Sequence, residues 1–311
     1  MTSDENMTFK SYQDRANLFV KEYLLADSLI PYTSVISGML ACKMVFTFVN
    51  VVVFDLTQFL GSNYFKIHSN FSKVQRIEWN NRAVSTTHAI FITTISLYLV
   101  FCSSLFRDNP SSELITVRRS TLSTFALGVS VGYFISDLGS ILWFFPSLGG
   151  YEYVIHHLLS LVAVAYSMLS GEGQLYTFMV LISETTTPGI NLRWYLDVAG
   201  MKKSRAYLIN GIVIFISWLV ITVPPLNLKI VYCALCFIGK STKMVQFCLQ
   251  VGNLKSRKLE SQVCEIIQQV EQMHPFGQIL VVAVPVVLSV MNLVWFAKII
   301  KGLRKTLAKR Q

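Results

Sequence analysis

Charged side chains are scarce in this sequence. Asp, Glu, Lys and Arg together make up 14% of its 311 residues, whereas soluble domains average about 25%. Hydrophobic residues account for 53% of the chain, and its mean hydropathy is +0.50. A single core surrounded by water cannot bury this much apolar surface, but a lipid bilayer can cover it. The composition therefore excludes an ordinary soluble domain and predicts an integral membrane protein.

Cysteine is also scarce, with six residues in the whole chain. Four of them, Cys42, Cys102, Cys233 and Cys236, stand inside apolar runs, where a cysteine is commonly a small buried hydrophobe. Cys233 and Cys236 have CxxC spacing, but a structural zinc ion needs four ligands, and no second pair lies nearby in the sequence. We therefore expect neither a disulfide framework nor a metal site.

The common motifs of soluble enzymes are missing as well. The sequence contains no GxSxG, no P-loop, no HExxH and no Rossmann glycine fingerprint, and we expect no cofactor. Residues 1–28 form a polar N-terminal tail without the apolar segment of a cleavable signal peptide. The first hydrophobic helix, residues 29–55, is therefore expected to act as an uncleaved anchor.

Long apolar stretches dominate the rest of the chain. A helix needs about 20 mostly apolar residues to cross a bilayer. Seven stretches are candidates: residues 29–54, 83–105, 121–145, 153–169, 174–192, 206–223 and 279–300. These stretches do not alternate strictly between apolar and polar residues, so helices are favoured over strands. We predict an all-α, multi-pass transmembrane bundle of about seven spans around a lipid-sized central cavity, with six or eight spans as alternatives.

Two further segments lie between the sixth and the last of these stretches. Residues 230–251 are apolar, but Lys240 and Lys243 lie near their centre, and one central lysine costs about 3 kcal/mol on insertion scales. Residues 255–273 place apolar side chains on one helical stripe. The second segment is therefore predicted to be an amphipathic helix, either on the membrane surface or in water.

Basic residues concentrate near the C-terminus and contribute strongly to the net charge of +10. They are Lys298, Lys301, Arg304, Lys305, Lys309 and Arg310. Basic flanks of membrane helices stay on the cytoplasmic side, so we predict a cytosolic C-terminus. Attraction to anionic lipid accounts for the cluster, and no nucleic-acid partner is required. In a seven-span topology the glycosylation sequons at Asn6 and Asn70 lie on opposite sides of the membrane.

Ionisable residues within the spans fall on four consecutive helices. They are His88, Asp137, His156, His157 and Glu184. Such a side chain is costly at membrane depth, and it usually faces the bundle interior beside a partner. We therefore predict that these residues line one shared polar cavity.

His156 and His157 are adjacent, so their side chains point about 100° apart on a helix. One can face the cavity while the other contacts a neighbouring helix. A neutral imidazole can act as a base, a nucleophile or a ligand. Asp137 is a candidate partner on the preceding span, and Glu152 lies four residues before His156. A hydrogen-bonded pair that only fixes helix packing is an equal alternative.

Glu184 is followed by three threonines and Pro188. Proline removes a backbone donor and clashes with the carbonyl four residues back, which here belongs to Glu184. We predict a kink at this point, and a buried carboxylate beside a kink can bind a ligand. The alternative is a kink that serves packing, with Glu184 paired to a histidine or to Arg193.

Six segments together carry a family resemblance. They are Glu78-Trp-Asn-Asn-Arg82 with Ser85 and His88-Ala89, Gly132 to Leu138, Glu152 to Ser160, Leu181 to Pro188, Asn191 to Leu196, and Met291 to Gly302. In combination they resemble the TLC-domain family of membrane proteins, which includes ceramide synthases and non-enzymatic relatives. The resemblance is strongest to the plant branch of small TLC-domain proteins. It assigns residues 73–305 to a TLC domain, followed by a basic tail at 306–311.

The resemblance implies a helical bundle around a lipid-sized cavity, in the endoplasmic reticulum or a connected endomembrane. The implied lipid-binding residues are His88, Asp137, His156, His157, Glu184, Asn191 and Arg193. Two departures from the family matter. The paired aspartates that ceramide synthases use with the double histidine are replaced by a different pattern of Glu184, Asn191 and Asp197. Residues 222–271 do not follow the family pattern, as expected either of a native divergent segment or of an altered splice form.

Three functions remain open at this point. The first is a protein that binds or senses a membrane lipid of the fatty acyl or sphingolipid class without catalysis, and it is favoured by the missing aspartates. The second is an acyltransferase of the ceramide-synthase type, with His156 or His157 as base or nucleophile and Asp137 or Glu184 as orienting carboxylate. The third is a lipid transporter, suggested by the interrupted fifth span. The sequence also leaves open a homo-oligomer.

Overall fold

The computed structural model describes residues 29–56, 71–106, 114–222 and 268–308. These residues form helices and connecting turns without a strand, so the predicted all-α bundle is confirmed. Several predictions fall outside the described residues. They concern the N-terminal tail, both glycosylation sequons, the apolar stretch 230–251 and most of the segment 255–273.

Eight α-helices can be followed through the described residues. They are α1 (Leu29–Asn50), α2 (Lys73–Leu97), α3 (Thr121–Trp143), α4 (Tyr151–Ser170), α5 (Gln174–Leu181), α6 (Thr187–Val198), α7 (Arg205–Thr222) and α8 (Pro275–Ala308). Short π-helices extend α1 over Val51–Leu56 and α2 over Tyr98–Cys102, and 3-10 helices cover Ile115–Val117 and Ile182–Thr186.

Five helices in the described part are long and apolar enough to cross a bilayer. They cover Leu29–Val53, Lys73–Cys102, Thr121–Trp143, Tyr151–Ser170 and Pro275–Gly302. A shorter apolar helix covers Arg205–Trp218. The predicted fifth span, 174–192, is divided between α5, a 3-10 helix and α6. The total of seven spans therefore stays a prediction.

Helix α2 begins ten residues before the apolar stretch that predicted it. Ser72 caps the helix, because its side chain accepts a hydrogen bond from the Gln75 backbone and Gln75 bonds back to Ser72. The added turns carry polar residues, including Asn81 and Arg82, from the membrane boundary into the bundle. A search for apolar runs cannot detect this part of a helix.

Helices α1 and α3 pack at unusually close range through small residues. A methyl group added to Gly132 would lie 2.8 Å from the backbone nitrogen of Met39, and one added to Gly128 would collide with Ser34. Small residues spaced four apart let two membrane helices approach in this way. Ser34 lies beside Gly128, and Met39 lies beside Gly132. Because residue numbers rise in the same direction along both helices, α1 and α3 run parallel.

The largest apolar core lies among α2, α3, α4 and α5. Ile92, Leu127, Phe134 and Phe178 are all at most 1% exposed. Contacts at the two ends of the bundle fix the direction of α8 against α4. Lys298 on α8 lies 3.4 Å from Glu152 on α4, whereas the start of α8 contacts the C-terminal end of α4. The end of the bundle that carries Arg82, Glu152 and Lys298 is called the basic end below.

Candidate functional site

A cavity of about 310 Å³ opens within the basic end of the bundle. Its wall comes from α2, α3, α4, the 3-10 helix, α6, α7 and α8, and it mixes charged, hydroxyl, amide and aromatic side chains. They include Arg82, Ser85, Tyr133, Tyr153, His156, His157, Ser183, Glu184, Thr187, Asn191, Trp218, Asn292, Trp295 and Lys298. Four of the seven predicted lipid-binding residues, His156, His157, Glu184 and Asn191, are thus brought together on one wall.

Asp137 lies directly behind His157. Its Oδ2 atom is 3.3 Å from Nδ1 of His157, and both side chains are buried. The other carboxylate oxygen accepts a hydrogen bond of 2.7 Å from Nδ2 of Asn81. The prediction that Asp137 partners a histidine of the next span is therefore confirmed. The contact is an approach of the two groups and not a hydrogen bond, because Nδ1 of His157 has no hydrogen-bond partner among the described residues.

His156 also borders the cavity, although adjacent residues on a helix point in different directions. Its ring stands edge-on to Trp295 of α8, with centroids 5.4 Å apart. Nδ1 of His156 is buried and has no hydrogen-bond partner among the described residues. A buried polar atom without a partner is costly, so its place on a cavity wall indicates a group that a ligand or water satisfies.

The predicted kink at Pro188 is confirmed as a break between two helices. Helix α5 ends at Leu181, and α6 begins at Thr187 after the 3-10 helix. Glu184 lies in this break and faces the cavity. Its Oε2 atom accepts a hydrogen bond of 2.7 Å from Thr187, and not from a histidine or Arg193, the partners of the packing alternative.

Asn191 joins α6 to α2 while it borders the cavity. Its amide nitrogen donates to the Arg82 carbonyl at 3.1 Å and to Thr86 at 3.0 Å, and its oxygen accepts from Arg82 at 3.0 Å. Arg82 is further held by Glu78 at 2.8 Å. The Arg82 guanidinium also lies 4.7 Å from the Trp194 ring centroid. These contacts fix one wall of the cavity before any ligand binds.

His88 lies behind the cavity wall rather than on it. Nε2 of His88 is 3.1 Å from the Ser130 hydroxyl, which itself donates to the Ala126 carbonyl at 3.0 Å. Because that hydroxyl hydrogen is already used, Nε2 is the donor to Ser130. The ring stacks on Tyr133 with centroids 3.9 Å apart. His88 thus supports Tyr133, which does line the cavity.

A second opening of about 210 Å³ adjoins the cavity between α6, α7 and α8. Ile190, Lys298 and Ile299 line both spaces. Arg193 lies here rather than on the main cavity wall, with its guanidinium 4.0 Å from the Tyr207 ring centroid. Glu152 pairs with Lys298 and not with His156, although the spacing of four residues allowed a hydrogen bond to that histidine.

Charges at the basic end are partly paired with each other. In the turn between α6 and α7, Lys202 lies 2.6 Å from Asp197. A hydrogen bond to the Asp197 carboxylate raises the pKa of Lys202 above its ordinary value. Both side chains are well exposed, so the pair is screened by water and contributes little to folding.

Asn81, Trp295 and Lys298 were not predicted as site residues. Asn81, Ser85 and His88 follow i, i+4, i+7 spacing on α2, a polar stripe that identifies the face turned toward Asp137. Trp295 lies in a continuous apolar run, and nothing in its sequence context distinguishes it. Lys298 was assigned to the basic cluster that sets topology, although its side chain reaches the cavity.

These features define a class: a multi-pass helical membrane protein with a polar, titratable cavity between its spans. The sequence profile of the TLC domain matches residues 78–301. The chain therefore belongs to the TLC-domain family, whose members are membrane proteins linked to lipid metabolism.

Individual relatives agree with this assignment. The chain is 30% identical over 275 residues to TLC domain-containing protein 4-B of Xenopus laevis, which covers 85% of this chain and 91% of the relative. It is 26% identical over 183 residues to human TLC domain-containing protein 4, covering 57% of this chain and 68% of that protein. No solved structure matches the chain. The narrower resemblance to the plant branch stays a prediction.

Proposed function

We propose that the protein binds a membrane lipid of the fatty acyl or sphingolipid class in the cavity and acts in membrane lipid homeostasis without catalysing a reaction. The observation that carries this proposal is the cavity itself. Its wall combines His156, His157 and Glu184 inside a bundle that is otherwise strongly apolar. Groups of this kind are rarely kept at membrane depth without a function.

The size of the cavity limits what can occupy it. At about 310 Å³, it lies at the lower end of the roughly 300–1,000 Å³ typical of small-molecule pockets. This volume accommodates a headgroup and the first part of an acyl chain, not two complete chains. The bound lipid therefore leaves most of its chain length outside the cavity.

A narrow apolar slot offers a path for the chain. It lies beside the cavity, farther along α4, α5 and α8, has a volume of about 50 Å³, and is lined by residues such as Val164, Leu181, Val284 and Leu288. Ser160 on its wall is one helical turn beyond His156 and His157. The order of polar cavity and apolar slot orients an amphiphile with its polar part at the basic end.

Mass spectrometry of lipid that co-purifies with the protein tests the proposal. Glu184→Gln and His157→Gln should retain less lipid than the parent chain, because each removes a polar group from the cavity wall. His274→Gln is the matched control, since His274 is exposed and lies at the other end of α8. Equal lipid retention by all four proteins would contradict the proposal.

The Asp137–His157 contact favours acyl transfer as the second candidate. A carboxylate 3.3 Å from a histidine can orient that histidine as a base. Reconstituted protein supplied with acyl-CoA and a long-chain base should then form an N-acyl product. His157→Ala should abolish the product, Asp137→Asn should slow its formation, and His274→Gln should leave it unchanged. Lipid retention without product formation would support the first proposal over this one.

We also propose residence in the endoplasmic reticulum or a connected endomembrane, with a cytosolic C-terminus. The basic residues Lys298, Lys301 and Arg304 at the end of α8 support this orientation. A fluorescent tag at the C-terminus should lose its signal when protease is added after selective permeabilisation of the plasma membrane. Protection of the tag would reverse the proposed orientation.

A further inference from the structure

We infer that the cleft between α6, α7 and α8 binds the phosphate group of an acyl-chain amphiphile whose chain enters the adjoining cavity. This inference rests on the proposed lipid-binding function and names the chemistry of the headgroup. The cleft has a volume of about 210 Å³, and Arg193 and Lys298 provide two positive charges on its wall.

The cleft and the cavity adjoin each other. They share Ile190, Lys298 and Ile299, so a ligand with its headgroup in the cleft can extend directly toward His156. From the end of α8 toward its start, the cationic cleft comes first, the polar cavity second and the apolar slot third. An anionic headgroup, a polar ester or amide region and an acyl chain follow the same order in a lipid.

Two contacts with Tyr207 orient Arg193 on the cleft wall. Its guanidinium lies 4.0 Å from the Tyr207 ring centroid, and Nη1 donates to the Tyr207 carbonyl at 3.4 Å. An arginine stacked on an aromatic ring keeps donors in its plane that match phosphate oxygens.

Lys298 can exchange its present partner at little cost. Glu152 is the carboxylate that faces it, at 3.4 Å, and the two side chains are 44% and 63% exposed, respectively. Exposed ion pairs contribute roughly 0–1 kcal/mol. A phosphate in the cleft therefore competes with Glu152 for Lys298, which predicts that removal of the carboxylate strengthens phosphate binding.

Gly302 leaves room on the same wall. It lies one helical turn after Lys298, and a methyl group added to it would meet no atom within 4 Å. A larger side chain at this position would occupy the cleft without a clash and without changing a charge. A substitution at Gly302 therefore tests how the free volume of the cleft affects ligand binding, separately from its charge.

Equilibrium binding to the full chain in phosphatidylcholine nanodiscs tests the inference. The labelled probes are phosphatidic acid and diacylglycerol with identical acyl chains, so that they differ only in the phosphate. Arg193→Gln and Lys298→Gln should each weaken phosphatidic acid binding about tenfold, as expected for one charged hydrogen bond. Arg193→Gln should leave diacylglycerol binding unchanged, whereas Lys298→Gln, which also alters the cavity wall, should weaken diacylglycerol binding less than phosphatidic acid binding. Glu152→Gln should strengthen phosphatidic acid binding, and Gly302→Leu should weaken it.

Lys301→Gln is the matched control, because it removes the same charge from the same helix outside the cleft wall. An equal loss in Lys301→Gln and Lys298→Gln would attribute binding to general surface charge and overturn the inference. Equal loss of both probes in the cleft variants would overturn it as well. Arg193→Lys, which restores the charge, should recover part of the affinity, so a folding defect of Arg193→Gln can be recognised.

Competition identifies the source of the phosphate. Displacement of phosphatidic acid by long-chain acyl-CoA, but not by inorganic phosphate, would identify a soluble acyl carrier, whereas displacement only by phospholipids would identify a membrane headgroup. The proposed function has a separate readout, because Glu184→Gln should reduce diacylglycerol binding. If that loss occurs while the cleft variants do not discriminate between the probes, only the phosphate inference fails.

Discussion

Two glutamates at the two ends of α5 have opposite surroundings. Glu172, before α5, uses both carboxylate oxygens: Oε2 accepts from the Tyr166 hydroxyl at 2.5 Å, and the His274 backbone N–H lies 3.2 and 3.3 Å from the two oxygens. Glu184, after α5, accepts a single hydrogen bond among the described residues, from Thr187. The comparison teaches that a half-buried carboxylate with several partners joins helices at one end of the bundle, whereas one with a single partner borders the polar cavity at the other.

The largest expected effect comes from Glu172→Ala. This change leaves the Tyr166 hydroxyl and the His274 N–H without their acceptor at the start of α8, so the free energy of unfolding should fall by about 3 kcal/mol. Thermal unfolding in detergent, followed by tryptophan fluorescence, measures the loss. The fraction that remains folded should still bind lipid in the polar cavity, because Glu172 borders the apolar slot and not that cavity. A stability equal to that of the parent chain would show that this network does not hold the helices together.

A smaller loss is expected for Tyr166→Phe, which removes one donor and keeps the carboxylate. One hydrogen bond to a charged group contributes about 1.5 kcal/mol, so this variant should melt between the parent chain and Glu172→Ala. The same thermal unfolding assay applies. A loss as large as that of Glu172→Ala would mean that the ring packing, not the carboxylate, joins α4 to α8.

Glu184→Gln should change stability by less than about 1 kcal/mol, because only one hydrogen bond is affected and the amide keeps an oxygen acceptor for Thr187. Its lipid retention should nevertheless fall clearly, in contrast to Glu172→Ala. Parallel measurement of melting and of co-purified lipid separates the two glutamates. If Glu184→Gln melts as early as Glu172→Ala, the proposed division between a structural and a ligand-binding carboxylate is wrong.

The smallest effect on stability is expected for Glu152→Gln. The Glu152–Lys298 pair is largely exposed, and such pairs contribute about 0.5 kcal/mol or less. Melting should be indistinguishable from that of the parent chain at physiological ionic strength. A measurable loss would show that the pair fixes α4 to α8 and would weaken the argument that Lys298 exchanges partners.

The sequence predicted features that depend on local chemistry. Apolar runs located the membrane helices, and Pro188 located the break after α5. The cost of a charged side chain at membrane depth predicted that Asp137 would lie beside a histidine of the next span. Contacts between distant segments were not predictable in the same way. Nothing in a single chain pairs Glu172 with His274, because the packing of α8 against α4 brings them together.

Other misses have a different cause. The polar first turns of α2 escape a search for apolar residues, although a cap at Ser72 starts the helix. Lys298 was interpreted only through its charge, while its long side chain also reaches an interior space. Gly128 and Gly132 stand four residues apart in an apolar run, a signal for close helix packing that the sequence does contain.

The parallel contact between α1 and α3 has a consequence for biosynthesis. The partner surface for α1 does not exist until α2 has crossed back and α3 has entered the bilayer in the same direction as α1. The first helix must therefore remain in the membrane with α2 as its neighbour, and without its main partner, until α3 is inserted. Deletion of α1 would expose the surface around Gly128 and Gly132 of α3 to acyl chains. That surface is shaped to pack against another helix.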